Sequence, residues 1–383
     1  MSHTITIATT QMNANPTPLT DRLARAERLV VAAAEAGAQL VALPELFNAG
    51  YAYRDENFHR AEPPDGPTAT WMRATAARLD VHLAGTFLLL DHDDVYNALL
   101  LVAPDGRTWR YDKTYPWGWE RAYFREGHRI TVAETDLGRI GMMVCWDVAH
   151  PELWRRYAGR VDLMLVCSCP PDVSEATYHL PGDVDLTVDD LGPVMGLTKG
   201  SARQVFGEVF NRQAAWLGVP AVSAGGSGRI RTEIPNGLGS VLSIAPTAPC
   251  LIRHLPRARQ LALSCEIAPA CKVVDAGGQV LSALAPEDGE TFTLAPVTLP
   301  SPDVRPTPEG PQPSPGISRL VYFVSDVLLP TLTVPVYRRG LRQARGADMA
   351  PVDVSTRRWR VLVAVSAAAG LLLGILIGKR RKS

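Results

Sequence analysis

Gly138-Arg139-Ile140-Gly141-Met142-Met143-Val144-Cys145-Trp146-Asp147 decides how the rest of the chain is read. Residues 140–144 form an apolar run with the length of one buried strand, and the run ends on a thiol. Pro151 opens a short helix over 151–158, and another apolar run follows at 162–167. Strand, helix, strand in that order predicts an α/β fold. Two further strands end on polar residues. Val41-Ala42-Leu43-Pro44-Glu45 delivers a carboxylate, and Arg110-Tyr111-Asp112-Lys113 delivers an ammonium. An acid, an ammonium and a thiol are the parts needed for covalent attack on a carbon–nitrogen bond.

The same rhythm extends outward. Residues 5–8 predict a strand. Leu19, Leu23, Ala26, Val30 and Ala33 share one helical face, and Gly37 stops that helix. Residues 39–43 suit a buried strand, 67–79 a helix with Pro in its first turn, and 81–90 and 95–103 two strands. Pro104-Asp105-Gly106 is a turn. Residues 170–200, rich in Pro, Gly and Asp, predict an irregular functional loop. A helix over 201–217 follows, with Phe206, Phe210, Ala214 and Leu217 on one face, and then strands over 219–224 and 239–244. Eight prolines between 296 and 315 predict a stiff extended linker, so the main domain should span 1–298 and the linker 299–316.

With 383 residues, 46% of them hydrophobic, the chain can bury a sizeable core. The 39 basic and 39 acidic residues cancel, so no global field invites nucleic acid. From Arg338 onward, however, there are eleven Lys or Arg and two acidic residues. The six cysteines have no Cys-x2-Cys spacing, and the start lacks an export signal. A reducing compartment follows, with Cys145 a free thiol. Cys167 and Cys169 lie two apart and read as core packing, and Gly225-Gly226-Ser227-Gly228 as a turn near the pocket. Trp117, Trp119 and Tyr123 are open to either pocket-lining or packing roles.

Residues 361–378 carry no charge and are flanked by Arg357, Arg358 and Arg360 on one side and by 379–382, Lys-Arg-Arg-Lys, on the other. As a helix this stretch would be about 27 Å long, close to a bilayer's hydrocarbon thickness. A transmembrane anchor over 359–383 is the expectation. Residues 317–337 are apolar but interrupted by Arg319, Asp326, Pro330 and Pro335. A two-span hairpin would put seven arginines on the far side, against the positive-inside tendency. Residues 317–358 are therefore read as an amphipathic, basic juxtamembrane segment on the membrane surface. A single-pass tail anchor with a cytoplasmic catalytic domain follows.

Five blocks in order carry a family resemblance: Ile5-Thr6-Ile7-Ala8; Leu43-Pro44-Glu45-Leu46-Phe47 with Gly50-Tyr51; Tyr96-Asn97-Ala98 before Pro104-Asp105-Gly106; Tyr111-Asp112-Lys113; and Gly138-Arg139-Ile140-Gly141 with Cys145-Trp146-Asp147 and Pro151-Glu152. Over about residues 4–295 the chain resembles the nitrilase, or carbon–nitrogen hydrolase, superfamily. The resemblance implies an α-β-β-α sandwich that pairs as a homodimer, with no metal and no organic cofactor. It implies Glu45 as general base, Lys113 as oxyanion stabiliser and Cys145 as nucleophile. It brings in Glu120 as a substrate-positioning carboxylate, beside Trp146, whose backbone N–H is a second oxyanion donor. Asp147 and Glu152 read as caps of the turn and helix after the nucleophile. The chain departs from the family at Asp112 and His150, and in the length of the 170–200 insert. Trp146 followed by Asp147 mixes nitrilase-like and amidase-like lettering.

A membrane-tethered amidase-like hydrolase of a small amide is the leading expectation, with a nitrile as the alternative substrate. An N-acyltransferase using the same thioester is a further alternative, and a non-catalytic scaffold the last.

Overall fold

A computed structural model describes residues 2–246, 248–301 and 303–345. The expected membrane segment 359–383 lies outside the described residues. Among the described residues, sixteen strands form two sheets. The larger sheet is built from β1 (His3–Asn13), β2 (Leu40–Ala42), β3 (His82–Asp91), β4 (Asp94–Val102), β5 (Thr108–Asp112), β6 (Val132–Thr135), β7 (Gly138–Val144) and β8 (Leu163–Ser168). The smaller one takes β9 (Pro171–Leu180) and β10 (Val184–Thr187). β11 (Ala221–Ser227) returns to the large sheet, while β12 (Arg229–Glu233) and β13 (Ala262–Ile267) complete the small one. β14 (Lys272–Val274), β15 (Val280–Ala283) and β16 (Thr291–Leu299) close the large sheet.

The strand order β5-β4-β3-β2-β1-β11-β8-β7-β6 runs through β1. That strand is parallel to β2 over Ile7–Thr9 and to β11 over Gln11–Asn13, and antiparallel to β16 along His3–Gln11. Period-2 alternation then sorts the side chains into layers. Leu40, Ala42, Ala84, Leu99 and Leu101 point inward and share one core with Ile140, Met142 and Leu163 from the other half of the sheet. Their neighbours Val41, Leu83, Phe87, Ala98 and Leu100 point outward onto Ala26, Val30, Ala69 and Met72 of the Leu19–Glu35 and Pro67–Leu79 helices. On the opposite outer face, β8 is buried throughout and receives Phe206, Phe210, Ala214 and Leu217 from the 201–217 helix. Helix, sheet, sheet, helix is the layering the resemblance implied.

Several local expectations are corrected. Residues 239–244 belong to a helix, Gly237–Ile244, not a strand; Asn236 Oδ1 accepts from the Gly239 N–H at 3.2 Å and caps its first turn. Residues 170–200 hold the β9–β10 hairpin, whose strand β9 pairs with β13. Gly225-Gly226-Ser227 is the end of β11 rather than a turn. A Cβ on Gly226 would fall 2.4 Å from Cys169 Sγ, so the sheet approaches too closely there for a side chain.

The proline-rich stretch is extended and lies along the body. Gln312 Nε2 donates to the Pro151 carbonyl at 2.6 Å, Arg139 Nη2 to the Val304 carbonyl at 3.0 Å, and Arg212 Nη2 to the Ser314 carbonyl at 3.1 Å. It leads into one long helix, Arg319–Ala344, of 26 residues, the one helix among the described residues long and apolar enough to cross a membrane. The reading that set residues 317–337 on a membrane surface meets a helix with much of its apolar face against the domain. Val321, Val324, Leu329, Tyr337 and Leu341 are buried there, and Tyr337 accepts from the Val95 N–H at 3.1 Å through its hydroxyl.

Candidate active site

Glu45 lies three residues past the end of β2 and is buried. The chain turns sharply after it, with Leu46 at φ 52°. A left-handed backbone costs a non-glycine residue about 1–2 kcal/mol, so surrounding bonds must hold it. They do: the Leu46 N–H donates to Thr86 Oγ1 at 2.8 Å, and buried Arg22 donates through Nε to the Phe47 carbonyl at 2.7 Å.

Lys113 follows β5 directly and is fully buried. Its Nζ donates to Glu45 Oε1 at 2.8 Å and to Glu120 Oε2 at 2.6 Å. Asn97, inside β4, donates through Nδ2 to Glu45 Oε1 at 2.7 Å, and the Cys169 N–H donates to Glu45 Oε2 at 2.9 Å. Glu120 sits on the short Gly118–Ala122 turn. Its Oε1 accepts from the Tyr51 hydroxyl at 2.6 Å and its Oε2 from the Trp117 N–H at 2.8 Å. Every carboxylate oxygen of the pair is thus satisfied, and the ammonium is clamped between them.

Cys145 is buried at the end of β7, opens the Cys145–Ala149 turn, and has φ 49°. Asp147 pins that turn: Oδ2 accepts from the Val144 N–H at 3.0 Å and the Tyr111 hydroxyl at 2.7 Å, and Oδ1 from the Tyr115 N–H at 2.8 Å. Since Tyr115 lies just past Lys113, Asp147 ties the thiol's turn to the lysine's loop. Trp146 is buried, and its indole donates to Asp326 Oδ1 at 2.8 Å. Its backbone N–H stands in the first turn of a helical segment, where no intrahelical acceptor exists.

Burial pushes the Cys145 thiol well above its usual range; the Glu45 carboxylate adds to the shift and Lys113 opposes it. Burial alone would lower Lys113, but Glu120 and Glu45 outweigh it and hold the ammonium well above its usual range. Burial also carries the Glu120 carboxyl from 4.5 up to about 7 against the pull of Lys113. The resting arrangement is a neutral thiol facing an ammonium clamped between Glu45 and Glu120. Such a thiol becomes a nucleophile only as its proton is taken.

All three polar strand ends of the sequence reading, with Glu120, belong to this one electrostatic cluster. Sequence reasoning assigned no role to Asn97, Tyr51 or the Cys169 N–H. The signal for Asn97 was an amide inside an otherwise apolar strand. Tyr51 stood in the block around Glu45 without a role of its own, and Cys169 gave no signal, because both roles arise from register between distant segments. Trp119 and Tyr123 pack instead of opening a pocket: Trp119 Nε1 donates to Ser240 Oγ at 3.1 Å, and Tyr123 stacks on Tyr53 with centroids 6.1 Å apart.

Residues 6–181 match the carbon–nitrogen hydrolase family model. Over 159 residues the chain is 33% identical to a nitrilase of Pyrococcus abyssi, an alignment covering 40% of this chain and 60% of that protein. Over 146 residues it is 35% identical to the N-carbamoylputrescine amidase of Solanum lycopersicum, covering 36% of this chain and 49% of the relative. These matches therefore span 49–60% of the relatives' own length. An amidase from Nesterenkonia sp. superposes with a TM-score of 0.54 at 22% identity, covering 78% of this chain and 91% of that one. A CN-hydrolase superfamily protein of Xanthomonas campestris superposes with a TM-score of 0.54 at 20% identity, covering 78% and 91%. These two structures share the fold described above.

Proposed function

We propose that this chain, whose residues 6–181 match the carbon–nitrogen hydrolase family model, hydrolyses a non-peptide carbon–nitrogen bond through a thioester on Cys145. The observation that carries this reading is the buried Glu45–Lys113–Glu120 hydrogen-bonded set in electrostatic reach of a neutral thiol. Glu45 takes the Cys145 proton as Sγ attacks the carbonyl carbon. The electron pair of the C=O bond moves onto oxygen, where the Lys113 ammonium and the Trp146 N–H stabilise it; losing one such donor typically costs ~10²–10³ in rate. The C–N bond breaks as the intermediate collapses, and the nitrogen leaves with the proton held by Glu45. Water, deprotonated by Glu45, then attacks the thioester, and the acid departs as Cys145 regains its proton. Lys113 stays hydrogen-bonded to both Glu45 and Glu120 and keeps its charge.

The substrate belongs to the class named by the relatives, a small amide or nitrile. The uncharged 361–378 stretch and the basic residues that flank it tether this site to a membrane. Rapid-quench mass spectrometry during turnover of an amide and nitrile panel should find an acyl adduct on Cys145 and none in Cys145→Ala. A panel hydrolysed equally by both proteins would sink the reading.

A further inference from the structure

We propose that Asp326, far beyond the carbon–nitrogen hydrolase match, is a positioning residue for the nucleophile turn, acting through the Trp146 indole. As a statement about catalysis, this rests on the function proposed above.

Asp326 is the one acidic residue of the Arg319–Ala344 helix. It lies in a π-helical stretch, Phe323–Leu328, where the helix widens. Such widened turns are rare, and frequently occur at functional sites. Here the turn sets the carboxylate against the nucleophile loop. Asp326 Oδ1 accepts from Trp146 Nε1 at 2.8 Å, and its side chain is 17% exposed. Its other oxygen faces His150 Nε2 at 3.6 Å. His150 in turn stacks on Tyr115 with ring centroids 3.5 Å apart. One turn earlier on the same helix, the Tyr322 hydroxyl donates to the Ala149 carbonyl, and its ring lies 6.1 Å from that of Trp146.

The helix therefore grips the Cys145–Ala149 turn at both ends: the side chain of its second residue and the carbonyl of its last. The turn begins with a cysteine at φ 49°, a conformation that neighbours must enforce. Trp146 also offers the backbone N–H that faces the developing oxyanion in the proposed reaction. The indole bond anchors the residue that carries that N–H, and losing it frees the turn at that point. A buried carboxylate on an apolar helix is unfavourable unless it meets a partner, and the partner here is one residue from the nucleophile. The same helix packs on the Glu120 turn, where Leu329 lies against Gly118.

The test compares Asp326→Ala, Asp326→Asn, Trp146→Phe and the Asp326→Ala/Trp146→Phe pair in the full chain. Steady-state amide turnover gives kcat and KM; peptide-mapped kinetics of iodoacetamide alkylation, which separate Cys145 from the exposed Cys250, give a readout independent of turnover. Asp326→Ala should lower kcat by about 10- to 100-fold, as a displacement of about 1 Å does, with KM little changed. The Asn amide oxygen still accepts from the indole N–H, so Asp326→Asn should stay within about threefold of wild type. In the Trp146→Phe background, Asp326→Ala should change nothing further. Alkylation should follow the same order. Equal rates for Asp326→Ala and wild type in both readouts overturn the proposal, as does the full loss persisting in the Trp146→Phe background. If Asp326→Ala does not fold, Trp146→Phe removes the same bond from its donor side; a turnover and alkylation rate equal to wild type there overturns the proposal. A wild type that alkylates at Cys145 yet turns over no amide or nitrile refutes the function and leaves alkylation to decide the role of Asp326.

Discussion

Glu120 stands between opposing influences: an ammonium at 2.6 Å that favours its charge and a burial that opposes it. Burial is the larger, and the carboxyl titrates at about 7 in the folded protein. The folded chain thus binds a proton there at a pH where the unfolded chain has lost it. Such a site favours folding fully below the unfolded value, and the contribution fades as pH rises through about 7. Glu120→Gln cannot titrate. Between pH 5 and pH 7.5, its thermal midpoint should fall less steeply than that of wild type; parallel curves would refute the assignment. At this scale the sequence was informative where chemistry is local. Glu45, Lys113 and Cys145 each end an apolar run, and their lettering marked them. Asn97 and Tyr51 reach their carboxylates across strand and loop, so their roles became visible only once the register was known.

β8 and β11 meet where Gly226 faces Cys169, and this contact bears on the site because the Cys169 N–H holds Glu45 Oε2. Gly226→Ala would drive a methyl into the sulfur. Urea denaturation should show a loss of ~1–3 kcal/mol from overpacking. Adding Cys169→Ala should restore most of it, and a double variant as unstable as Gly226→Ala would argue against steric conflict as the cause. The Pro67–Leu79 helix, announced by Pro in its first turn, was readable to the residue. Elements that were misread had a physical reason. Residues 239–244 are a short apolar run, which helix and strand share alike, and only the Asn236 cap decides. The 170–200 stretch looked irregular because β9 draws its order from pairing with β13, almost a hundred residues on, and β10 in turn from pairing with β9.

At the level of the whole molecule, two features beyond the hydrolase match are in play: the Arg319–Ala344 helix, packed on the domain, and the uncharged 361–378 stretch. The proposed roles separate them. Truncation after residue 345 should leave amide turnover within about twofold of the full chain, because every bond from the helix to the nucleophile turn remains. The shortened protein should stay in the supernatant when sedimented with anionic vesicles, and the full chain should pellet. A shortened form that still pellets would place the membrane contact on the domain or its helix. The linker's composition announced an extended path, but its attachment along the body was hidden. Proline carbonyls such as those of Pro313 and Pro315 accept bonds from Gln213 and Gln204, and nothing local in the sequence encodes such partners.

The grip of residues 322 and 326 on a turn that begins at 145 has a consequence in time. A ribosome makes the chain from its amino end, and the sheets can assemble as soon as β16 is out. The turn holding the thiol stays unbraced until the long helix follows. On the proposed reading, a growing chain is therefore silent until that helix has formed. On the same reading, competence arrives only after residues 319–344 have left the ribosome, well after the thiol itself.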